Sequence, residues 1–177
     1  MTRVYIKLGD KLEFRQDWFD KFKDSPVAVT VGKNEVQKVV FEQDGKEHLC
    51  IPGLNGSSAV IIFSQQAAIL AHISDLPTAD ISEQTIDQNI KEKMEKVANL
   101  YNENRNYFTS NTSKRDCLVI TPKTILLHRK SIICSALVAS KLPHAFIDYV
   151  PPSSTPGIIV ITRGVTPVLS SNLELFE

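Results

Sequence analysis

The chain turns on Leu54-Asn55-Gly56-Ser57-Ser58-Ala59-Val60-Ile61-Ile62-Phe63-Ser64-Gln65-Gln66-Ala67-Ala68-Ile69-Leu70-Ala71-His72-Ile73. Short apolar runs bounded by turn residues read as buried strands. This stretch holds two of them, about 58–63 and 67–73, separated by two glutamines. The Asn-Gly pair ahead of the first is the strongest short turn signal a sequence carries. If the strands pair as a hairpin, Ser57 and His72 return to the same edge. A small hydroxyl residue then sits beside an imidazole, the pattern of a nucleophile and its base. Each residue alone also has an ordinary reading, Asn55-Gly56 as a tight turn and His72 as a structural histidine.

Upstream, three strand-like segments are predicted at about 4–8, 27–31 and 36–41. The second and third are joined by Gly32-Lys33-Asn34, a plausible hairpin loop. A short helix over 17–22 packs Trp18, Phe19 and Phe22 onto the sheet, and Asp44-Gly45 centres a further turn. Downstream, Asp80-x-x-Glu83 resembles a capping box. A helix over about 82–107 follows, with Ile86, Ile90, Met94, Val97 and Tyr101 at three- and four-residue steps. Strand, helix and strand succeed one another at 117–121, 127–142 and 144–150. A proline-rich loop at 151–157 leads to final strands at 158–162 and 167–175. The rhythm predicts an α+β fold, a β-sandwich-like mixed sheet with two main helices, in a single domain over 1–177.

The 177 residues carry 20 basic and 20 acidic side chains. With no net field, and Lys114-Arg115 as an isolated loop pair, nucleic acid is not an expected partner. No run reaches the length of a membrane helix, and the N-terminal residues show no targeting segment. The expected location is cytoplasmic. The sequons at Asn55 and Asn111 carry no weight without secretion. Three cysteines lack metal-site spacing, and Cys117 and Cys134 lie in apolar segments as small buried hydrophobes. His128 and His144 have no partners at ligand spacing, and the seven glycines form no phosphate-binding loop. Neither a metal nor another cofactor is expected. The oligomeric state is open.

The segment Leu54-x-Gly56-Ser57-Ser58-Ala59-Val60, with His72 fifteen residues after Ser57, resembles the deamidase domain of the cytotoxic necrotizing factor toxins. In that family a Gly-Cys-Thr turn opens an apolar strand and the histidine follows at this separation. More loosely it is similar to the bacterial chemoreceptor glutamine deamidases, which have a Gly-Ser-Cys turn and an Ala-His-Ile-type strand, matched here by Ala71-His72-Ile73. The likeness spans residues 53–76. It implies a glutamine-deamidase-like fold and conversion of glutamine to glutamate through a cysteine thioester, with release of ammonia. It also implies a third group, a backbone carbonyl or a hydroxyl residue on a neighbouring strand, that orients the histidine.

The chain departs from the family at the decisive atom. Serine stands at the nucleophile position, Ser57 in the toxin register and Ser58 in the chemoreceptor register. A hydroxyl is a far weaker nucleophile than a thiolate unless strongly activated. Three readings stay open: an inactivating cysteine replacement, a natural pseudoenzyme that binds a protein or small-molecule partner, or a serine-dependent amidase. The expected catalytic pair is Ser57 and His72. Asn55, Gly56 and Ser58 would contact a protein or small-molecule carboxamide substrate, and free N–H groups near Gly56 would stabilise an oxyanion. Asn55, Ser58 and Ser74 are candidates for the third group, as is Asp75 if the backbone bends. Cys50 is an alternative nucleophile; if its segment is extended, His48 and Cys50 share a face.

Overall fold

The two apolar runs form adjacent antiparallel strands at the predicted limits, Ser58–Phe63 (β5) and Ala67–Ile73 (β6), in a computed structural model of the chain. The structure describes residues 2–7, 20, 22–74, 82–108, 114, 116–151, 157–163 and 174–176. Most of the predicted helix over 17–22, and the segment 164–173, lie outside the described residues. The remaining strands are Thr2–Lys7 (β1), Ala28–Thr30 (β2), Glu35–Val40 (β3), His48–Leu54 (β4), Cys117–Pro122 (β7), Ala145–Tyr149 (β8), Gly157–Arg163 (β9) and Glu174–Phe176 (β10). The two long helices are Glu83–Glu103 (α1) and Leu127–Ala139 (α2).

The strands form two mixed sheets, one in the order β3-β6-β5-β7-β8 and the other β10-β1-β9-β4-β2. Among the described residues, β7 with β8 and β2 with β4 pair in parallel, and the other pairs are antiparallel. The architecture is therefore an α+β sandwich. The two-residue alternation of a strand explains its layers. Val60, Ile62, Ile69 and Ala71 face the helices, meeting Ile90, Met94 and Val97 of α1. Ala59, Ile61, Ala68 and Leu70 point the other way, against Leu49, Ile51, Ile159 and Ile161 of the opposite sheet. Burial on both faces is why β5 and β6 read as unbroken apolar runs rather than alternating ones. Each valine, isoleucine or leucine among them contributes roughly 1.5–3 kcal/mol on leaving water.

Helix α1 begins at Ser82, whose side chain accepts a hydrogen bond from the Thr85 N–H at 3.2 Å. Ser82 is the cap, where the sequence had suggested a box opening at Asp80; Asp80 lies outside the described residues. A hydroxyl at this position satisfies one of the orphan N–H groups of the first turn.

Two connections differ from the sequence expectation. Gly32-Lys33-Asn34 does not close a hairpin, because β2 belongs to one sheet and β3 to the other. Asn55-Gly56 likewise carries the chain from β4 in one sheet to β5 in the other. Both are corners of the sandwich. Asn34 and Gly56 adopt left-handed backbone, with φ of 61° and 71°, which glycine and asparagine tolerate best. Strand β4 was not anticipated, since Pro52-Gly53 breaks its pattern. The register of β4 against β9 shifts between Ile51 and Leu54, where a proline costs little.

Candidate active site

Both corners lie at the end of the sandwich where His72 closes β6. Glu35, the first residue of β3, is paired with His72 on one side, and Ala59 is paired with it on the other. By alternation from Ala68 and Leu70, the imidazole points between the sheets. Ser57 precedes the first β5–β6 pair, Ser58 with Ile73. It is thus diagonal to His72 on the same face, a relation that places Cα atoms about 7–8 Å apart. Ser58, level with Ile73, belongs to the opposite, helix-facing side. Of the two serines, Ser57 is therefore the one on the face of the histidine.

Both side chains are enclosed, with Ser57 at 2% and His72 at 4% exposure. The two are not hydrogen-bonded, and neither ring nitrogen of His72 has a partner. Burial holds the imidazole below its ordinary pKa. The Val31 carbonyl and the Glu35 carboxylate act in the opposite direction, and the Lys33 ammonium acts with burial. Val31 is near enough to influence the ring, yet the geometry of a hydrogen bond is not met. The net direction favours the neutral imidazole, the form a general base requires.

The walls of this end are fixed by groups the sequence did not single out. Asn34 Oδ1 accepts from the Ser74 backbone N–H and from Asn89 Nδ2 of α1, each at 2.9 Å, tying the β2–β3 corner to the end of β6. The Tyr149 hydroxyl, at the end of β8, donates to the Ser57 carbonyl at 2.7 Å. The Gly32 N–H donates to Glu35 Oε2 at 2.9 Å. An asparagine in a left-handed corner is a signal legible in Gly-Lys-Asn, but its partner is not.

The other expected residues fall as follows. Gly56 is buried and Asn55 is exposed at the corner. Ser74 takes part through its backbone, and Asp75 lies outside the described residues. Cys50 sits in the opposite sheet, paired with Thr30 and Val160. It shares that sheet's outer face with Tyr5 and Phe22, remote from the inter-sheet face of His72. Burial pushes its thiol up to about 12, so it is no nucleophile for this site. His48 does share its face, stacking edge-on against Phe22. Cys117 is fully buried, but Cys134 is partly exposed, contrary to its reading as a core hydrophobe.

Among the described residues no cluster of three or more His, Cys, Asp or Glu side chains is placed to hold a metal ion. None of their helices is long and apolar enough to cross a membrane. In comparisons with known proteins, no family model and no curated protein matches the chain.

Proposed function

We propose that this chain carries an amide-hydrolase site of the glutamine-deamidase type, with Ser57 in the nucleophile position and His72 as base and acid. One observation carries the reading. Ser57 and His72 share a face at the end of β5 and β6, and the imidazole there has no other partner.

In this reading the Ser57 oxygen attacks the carboxamide carbon as His72 takes its proton. The N–H groups of Gly56 and Ser57 precede the first ladder pairs of β5 and are the natural donors to the oxyanion. Collapse expels ammonia, which receives the proton from the imidazolium. Water then hydrolyses the acyl-enzyme ester with His72 again acting as base. The Val31 carbonyl acts on the imidazole without meeting hydrogen-bond geometry, and it would have to close on a ring N–H to serve as the orienting part of a triad. The substrate is a protein or small-molecule carboxamide.

A second reading, a binding protein that keeps the site without turnover, draws on a specific observation: a hydroxyl rather than a thiol occupies the nucleophile position, and it is almost fully enclosed. Ammonia release and glutamine-to-glutamate mass gain separate the two. They are measured on the natural chain, Ser57→Cys, and Ser57→Cys with His72→Ala. Activity in either of the first two, abolished in the third, supports the hydrolase. Silence in all three across a broad substrate set supports the binding protein.

A further inference from the structure

Away from the His72 end, α2 and the start of β8 bring a thiol and an imidazole together. Cys134 Sγ lies 3.5 Å from His144 Nε2, and His144 Nδ1 lies 3.0 Å from the Leu142 carbonyl. A carbonyl can only accept, so Nδ1 carries a proton, and in that neutral tautomer Nε2 offers its lone pair to the thiol.

The chain turn that builds this pair is well defined. Ser140, Lys141 and Leu142 end α2 in a Schellman motif, with Lys141 at φ 57° and the Leu142 N–H donating to the Leu137 carbonyl. That reversal lays His144 back against the helix ten residues after Cys134. Phe146 stacks edge-on against the imidazole at a centroid distance of 5.4 Å, holding the ring from the side. The buried stripe of α2 is Arg129, Ile133 and Leu137. Cys134 falls beside it, and both it and His144 are partly exposed.

We infer that Cys134 is a thiol-modification site which forms a mixed disulfide with a small, glutathione-type disulfide, His144 serving as proton acceptor. The step balances without further reagents. The thiol proton passes to Nε2, and the Cys134 sulfur attacks one sulfur of the small disulfide. A new S–S bond forms as the old one breaks. The departing thiolate leaves as a thiol with the proton from the imidazolium. Cys134 is oxidised to the disulfide level and the reagent is reduced. Attack of this kind requires access and thiolate character. Cys50 and Cys117 lack the access, since both are buried at 0% exposure, whereas Cys134 is partly exposed.

The test uses the whole folded chain with oxidised glutathione, followed by intact mass and peptide mapping. The expected result is a single glutathione adduct on Cys134. His144→Ala is expected to slow its formation about tenfold, and free imidazole to restore the rate in that variant while leaving the natural chain unchanged. A merely structural histidine would not be rescued in this way. Should His144→Ala fail to fold, His144→Gln, which keeps a donor toward Leu142, takes its place. Modification of Cys50 or Cys117 ahead of Cys134, no adduct on Cys134, or a rate indifferent to residue 144 would each overturn the inference.

Discussion

Ala59 lies directly opposite His72 in the β5–β6 ladder, so the residue two before it, Ser57, is the diagonal neighbour of an imidazole with no hydrogen-bond partner. A structural histidine in such a place would be tied down, because an unpaired buried polar group costs about 1–3 kcal/mol. Here no protein group meets hydrogen-bond geometry with either ring nitrogen. His72→Phe is therefore expected to leave stability unchanged or raise it by about 1 kcal/mol, since an apolar ring relieves the cost. Urea unfolding at pH 7.5 measures it. A loss beyond about 2 kcal/mol, the size of a disrupted core, would mark His72 as structural.

The same histidine makes stability depend on pH. Its folded-state pKa is lowered from 6.5, chiefly by burial, so the unfolded chain binds the proton more readily. Stability is then full above about 6.5 and is lost as pH falls through that value toward the folded-state pKa. His48, also lowered mainly by burial, adds to the same loss. Thermal unfolding from pH 8 to pH 5 is expected to show a falling Tm, flattened in part by His72→Phe.

Asn34, partly buried at its corner, is expected to matter for stability. It accepts two hydrogen bonds and holds a positive φ. Asn34→Ala leaves the Ser74 N–H unpaired in a part-buried place and strains the backbone, at a cost of about 2 kcal/mol. Asn34→Gly relieves only the strain and recovers about half of it. Denaturant midpoints of the two variants measure the difference.

Gly56 is constrained by conformation, with φ at 71°. Gly56→Ala is expected to cost about 1–2 kcal/mol, read as a Tm lower by about 2–8 °C for a chain of this size.

Asp87 clasps the two helices, accepting from Arg129 Nε at 2.8 Å and lying 3.0 Å from His128 Nε2. These contacts, Arg129 first, hold its carboxyl below the ordinary carboxylate range. Its contribution is present above about pH 4 and disappears as pH falls through the lowered value. Asp87→Asn is expected to cost about 1 kcal/mol, because the nearly buried Arg129 loses the Asp87 charge while Asp87 itself stays partly solvated.

What the sequence made legible follows from local physics. The limits of β5 and β6 are set by apolar runs between polar breaks, and α1 by the recurrence of Ile86, Ile90, Met94, Val97 and Tyr101, all buried as that spacing requires. The sheet a strand joins is not a local property. Gly32-Lys33-Asn34 and Asn55-Gly56 have the chemistry of tight turns, and nothing in a turn states whether the next strand pairs with the last or crosses the sandwich. The parallel pairing of β2 with β4 is illegible for the same reason.

The shared face of Ser57 and His72 was legible from strand period and register, whereas Asn34, Tyr149 and Val31 reach the same end from distant segments. The Cys134–His144 pair was missed because an apolar helix suggests burial for a cysteine. Its position one residue off the Ile133–Leu137 stripe was the available signal.

The central proposal is that position 57 and His72 act together on a carboxamide. The most direct measurement treats the Ser57→Cys chain, in a Cys134→Ser background, with a chloromethyl ketone analogue of glutamine. Intact mass and peptide mapping then follow the product, beside the same chain carrying His72→Ala. The account predicts one adduct per chain, on the thiol introduced at position 57, slowed at least about tenfold without the imidazole and suppressed by excess glutamine amide. Labelling that ignores residue 72, or that falls on Cys50 or Cys117 while position 57 stays unmodified, would contradict it.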